Sequence, residues 1–172
     1  MCAGCVSDPA VRCSRLYSAG AYSSLITYAT RGIRSSQDRG VFHMYRGAAR
    51  YELAQYRAAA GDFSAALRTA EVRLFPLMYR GHSYFMLAEY EKARRDYTEA
   101  RTLCETASRV GGASPVIAPA VTGGEDVFSP SVFTPGAGRE FLEALLSYFI
   151  GFTFERQEGK ERFAMKHYSL AI

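Results

Sequence analysis

Met44-Tyr45-Arg46-Gly47 returns as Met78-Tyr79-Arg80-Gly81, 34 residues further on. The stretch that follows repeats at the same distance. Leu53-Ala54-Gln55-Tyr56 returns as Leu87-Ala88-Glu89-Tyr90, and Ala59, Phe63 and Ala66 return as Ala93, Tyr97 and Ala100. Laid on one another without a gap, residues 40–73 and 74–107 share 11 identities. Unrelated segments of ordinary composition would share roughly two or three. A fixed period of this length implies a unit that cannot bury its apolar face alone and stacks on its neighbours. It points to an extended surface and away from an enclosed catalytic pocket.

The register extends backwards to a weaker copy. Arg12 precedes Arg46 and Arg80, Tyr17 precedes Tyr51 and Phe85, and Tyr22 precedes Tyr56 and Tyr90. Asp8-Pro9 is a helix start, with Asp as cap and Pro where no amide is needed. Gly20 falls where two helices would turn. Each unit reads as two helices. Leu77, Tyr84 and Leu87 are spaced for one helical face, and Ala93, Tyr97 and Ala100 for the face of the next. The turn falls at Ala88-Glu89. A competing turn at Gly61-Asp62 is rejected, because Asp62 aligns with Asp96. Small residues at Cys13, Gly47 and Gly81 predict close helix pairs, with aromatics filling the space opposite.

Beyond Cys104 the pattern stops. Gly111-Gly112 can end the helix. Residues 113–138 contain Pro115, Pro119, Pro130 and Pro135, too many breakers for regular helix. They also carry Val127-Phe128 and Val132-Phe133, more apolar character than a solvated linker needs. This segment is expected to be an interaction element and not a passive spacer; docking in extended form on the array's own groove, in competition with partners, and a free mobile segment both stay open. Helix resumes near Arg139. Gly151, Gly159, Ala164, Tyr168 and Ala171 suggest a diverged fourth unit whose second helix begins near Lys160. The expected organisation is a flexible leader over 1–6, units over 7–39, 40–73 and 74–107 within 7–110, an insert over 111–138, and a fourth unit over 139–172 that continues past the chain.

The 172 residues carry a net charge of +4, which only slightly favours acidic partners. No apolar run approaches the ~18 residues of a membrane span. No apolar leader marks secretion. Asn is absent, so Asn-linked glycosylation is excluded. Four Cys without a signal fit free thiols in a reducing compartment, and the expected location is cytoplasmic. Cys2, Cys5 and Cys13 have partial metal spacing without a fourth ligand nearby, so no metal is expected. Acylation at Cys2 or Cys5 is the other special reading of that leader, against plain free thiols. His43, His82 and His167 stand apart from any nucleophile and orienting acid. There is no phosphate-binding Gly loop. No catalytic residue and no cofactor is expected.

The spacing resembles the tetratricopeptide repeat. In the best unit the family pattern falls on Leu77, Arg80, Gly81, Tyr84, Ala88, Tyr90, Ala93, Tyr97 and Ala100. The closing Pro of that pattern is replaced by Glu105. The second unit departs at His43 and Arg50, and the first at Pro9, Leu25, Ala29 and Gly32. The resemblance covers about residues 7–106. It implies an all-α fold, a right-handed α-α solenoid of helix pairs whose first helices line a concave groove. The groove would present Tyr17, Met44, Tyr51, Phe75, Met78, His82, Phe85 and Met86 to a peptide or partner helix, with Ala10, Ser14, Val41 and Ala48 between them.

The resemblance implies a non-catalytic protein–protein interaction module, a scaffold or adaptor. The alternatives are a regulatory segment of a larger enzyme and an RNA-binding helical array, although no nucleic-acid partner is expected. One subclass of the family grips acidic chaperone tails with Lys, Asn and Arg. Those positions hold Ala10, Ser14, Tyr45, Phe75 and Tyr79 here, so a chaperone tail is not the expected partner. The ladder of Arg12, Arg46 and Arg80 could bind acidic ligands. A structural role between units is the favoured reading.

Overall fold

The computed structural model describes residues 8–36, 39–69, 73–109 and 139–157. Every element among them is helical: α1 (Pro9–Ser18), α2 (Tyr22–Ser35), α3 (Arg39–Glu52), α4 (Tyr56–Thr69), α5 (Leu74–Met86), α6 (Tyr90–Arg109) and α7 (Arg139–Glu155). From α2 onward each helix packs chiefly on its neighbours in sequence, whereas α1 packs on α3 as much as on α2. Asp8 caps α1 as its sequence predicts, its carboxylate accepting from Ala10 N at 2.9 Å. The chain runs as helix through Gly61-Asp62 and turns at Ala88. The leader, the insert over 111–138 and the second helix of the fourth unit lie outside the described residues.

The three turns are equivalent. Gly20, Ala54 and Ala88, 34 residues apart, have φ of +66°, +55° and +58°. Glycine reaches this left-handed region freely, whereas a Cβ there costs about 1–2 kcal/mol. The two alanines hold it inside hydrogen-bonded helix ends, with Gln55 N donating to Arg50 O at 2.8 Å and Glu89 N to Tyr84 O at 2.9 Å, and an aromatic pair flanks each turn. Tyr17 meets Tyr22 edge-on, Tyr51 meets Tyr56, and Phe85 meets Tyr90, with ring centres 5.6, 5.4 and 5.4 Å apart.

Close approach of the paired helices comes from the small residues. A methyl group added to Gly47 would stand 2.8 Å from the ring of Phe63, and one added to Gly81 2.7 Å from the ring of Tyr97. Each of those rings then stacks on an aromatic of the following helix. Phe63 lies on Tyr79 at 5.5 Å, and Tyr97 on Phe149 at 5.4 Å. In the first pair the sizes are exchanged: Cys13 replaces the glycine, Ala29 replaces the ring, and both are fully buried. Leu87, which shares its predicted face with core residues, is only half-buried, because it forms the C-cap of α5.

Candidate functional site

The arginine ladder is a set of clamps between helices. Arg46 on α3 donates from Nε and Nη2 to the Asp62 carboxylate of α4 at 2.6–3.2 Å, and from Nη1 to Thr30 Oγ1 of α2 at 3.0 Å. Arg80 on α5 repeats this one period later. It donates to Asp96 of α6 at 2.7 and 2.8 Å and to Ser64 Oγ of α4 at 3.1 Å. One guanidinium thus ties its own helix pair together and fastens it to the preceding second helix. The carboxylate of Asp96 also holds Arg80 more firmly protonated than an ordinary guanidinium. Arg12 has no such carboxylate, because position 28 is a tyrosine, and its guanidinium lies 4.5 Å from the Tyr28 ring centre. The structural role between units is therefore visible at Arg46 and Arg80.

Asp62 collects more charge than its counterpart. It is 3% exposed. Arg50 Nη1 donates to it at 2.7 Å, and His43 Nδ1 lies 3.3 Å away. The two departures from the repeat pattern in this unit, His43 and Arg50, thus converge on one carboxylate.

The residues expected on the groove divide into two groups. Tyr17, Phe75, Met78 and His82 are buried, and Tyr51 is at the edge of burial. Met44 and Phe85 are half-buried, and Met86 is 44% exposed. Tyr17 is occupied by α3, its hydroxyl donating to Glu52 Oε1 at 2.6 Å. Burial and the neighbouring hydroxyls and carboxylate push its pKa upward. Met78 and Phe75 belong to the core. Of these residues Met86 is the exposed one, while Met44 and Phe85 keep part of their surface with the rest packed on the core, Phe85 being stacked on Phe152 of α7 at 5.1 Å; Leu53 is exposed at the preceding turn.

His82 is covered by α7. Its Nδ1 is hydrogen-bonded to the Tyr97 hydroxyl at 2.6 Å, and Phe149 sits edge-on against its ring at 4.5 Å. Burial lowers its pKa from 6.5 to about 3. The fold accepts the neutral ring and refuses the proton that the unfolded chain takes up below about pH 6.5. Stability contributed this way is intact above that pH and is lost downward toward pH 3, at roughly 1.4 kcal/mol per pH unit. His82→Gln should flatten the acid limb of a stability–pH profile between these limits. Urea midpoints measured across the range check this, and parallel slopes for variant and parent would refute it.

Cys13 and Cys104 are both buried, and neither forms a disulfide. Burial raises Cys13 to about 12, so it is an inert core thiol. Among the described residues no group of three His, Cys, Asp or Glu could hold a metal. No described helix is long and apolar enough to cross a membrane. No protein-family model matches the chain, and neither curated proteins nor solved structures yield a match.

Proposed function

We propose that the helix pairs stack as a right-handed solenoid of the tetratricopeptide type, and that the chain is a non-catalytic interaction module. Recurrence of the same contacts at 34-residue spacing supports this: the clamp, the edge-on aromatic pair and the left-handed turn each return in register. Such stacking aligns α1, α3 and α5 along one side. The partner is a protein or peptide with apolar or aromatic side chains, docking on Met44, Phe85 and Met86. Methionine and aromatic groups adapt to apolar peptides without fixed polar geometry. The reduced thiols of the core suit a cytoplasmic setting.

The test is selection of a displayed random peptide library against the full chain. Apolar or aromatic sequences are expected. Their affinity should fall about tenfold or more with Met86→Glu, the scale of one central contact residue. Met86 is exposed, so the melting temperature should hold. Selected peptides that ignore both Met86→Glu and Phe85→Ala would reject this surface.

A further inference from the structure

The first helix pair lacks what the second and third possess. At Arg46 and Arg80 the guanidinium is filled by a carboxylate and a hydroxyl from neighbouring helices. Arg12 occupies the same register position. Its guanidinium carbon lies over the Tyr28 ring, 4.5 Å from the ring centre, instead of against an aspartate. A guanidinium has five N–H donors, and a cation–π contact with one ring does not use them all. Beside it lies a shallow depression of about 390 Å3 between α1 and α2, floored by Leu16 and Tyr28 and edged by Ser23, Thr27 and Arg31. Arg31, like Arg12, is exposed. Among the described residues neither arginine has a carboxylate within ion-pairing distance. Among the described residues, two cations without a carboxylate partner therefore border one concavity with an apolar floor, beside the Ser23 hydroxyl and a Thr27 hydroxyl that donates to Ser23 O at 3.1 Å.

We propose that this depression binds a carboxylate-bearing peptide segment, with an Asp or Glu side chain entering the fork of Arg12 and a second acidic group meeting Arg31. The chemistry is the one the chain itself uses at the two later positions, a carboxylate against the fork with a hydroxyl beside it. A carboxylate also matches the planar donor geometry of arginine. The surface shares no residue with Met44, Phe85 and Met86, and it does not depend on how that side is used.

The experiment is a titration of the full chain with a fluorescently labelled Glu-rich peptide and its Gln-for-Glu counterpart, followed by anisotropy. The Glu peptide is expected to bind with an affinity that declines as salt is raised. The double variant Arg12→Gln, Arg31→Gln should weaken it about tenfold or more. Both side chains are exposed, so the melting temperature should stay near that of the parent. Tyr28→Asp is the sharper variant, because it rebuilds the internal carboxylate of the later pairs and should compete the peptide away. Met86→Glu should leave the affinity unchanged. Equal binding of the Gln peptide, or full affinity in the double arginine variant, would overturn the proposal. So would displacement by oligouridylate or inorganic phosphate at lower concentration than by acidic peptide, which would assign the site to another anion. A concentration-dependent dimer abolished by Arg12→Gln would assign it to a second copy of the chain and overturn it equally.

Discussion

Asp62→Ala is expected to destabilise the protein by about 3–5 kcal/mol, the cost of stripping the partner from buried charge. Asp62 is 3% exposed and takes donors from Arg46 and Arg50. Without it, two largely withdrawn guanidinium groups and the ring of His43 face each other with no anion between them. Restoring balance should recover much of the loss, so Asp62→Ala combined with Arg46→Met should be less damaging than the two changes added separately. Urea unfolding of the three variants measures this. A loss below about 1 kcal/mol for Asp62→Ala would place the cluster among ordinary surface ion pairs.

Tyr97→Ala should cost a similar amount, about 3–5 kcal/mol, as expected for a large aromatic removed from a packed core. Tyr97 is fully buried, stacks on Phe149 of α7 and supplies the hydroxyl that meets His82. Its ring also sets the clearance at Gly81. Gly81→Ala alone should cost about 1–3 kcal/mol through overpacking. In the Tyr97→Ala background the same change should be close to neutral, since the ring it would strike is gone. A double-mutant cycle in urea decides the matter. Strict additivity would mean that the two positions do not share the contact described.

Much of this was legible in the residues. The two-helix unit, its turn at Ala88 and the pairing of small residues with aromatics all follow from a 34-residue recurrence. What periodicity could not show is which side of a helix a later element would cover. Phe75, Met78 and His82 fit a groove by register, yet they are buried. For His82 the covering residue, Phe149, arrives from beyond the intervening segment with its spacing altered. The hydroxyl partners of the arginines were also missed, although Thr30 and Ser64 are themselves 34 residues apart. Serine and threonine are common on helix surfaces and carry little signal alone. Cys13 fits the run of small residues, but Ala29 in place of a ring reads in the sequence as a departure from the pattern. Taken with Cys13 in place of glycine, it keeps the space between the helices filled while exchanging which helix fills it.

The clamps have a consequence for the order in which the chain opens. Thr30–Arg46–Asp62 spans α2, α3 and α4, and Ser64–Arg80–Asp96 spans α4, α5 and α6. The two triads share no residue, but they overlap on α4. No helix from α2 to α6 can detach without releasing a bond anchored in another, whereas α1 lies outside both triads and reaches α3 through the Tyr17–Glu52 bond and its packing. Amide hydrogens of α3, α4 and α5 are therefore expected to exchange with solvent as one cooperative block, and those of α1 through a smaller opening of their own, which native-state hydrogen exchange measures directly.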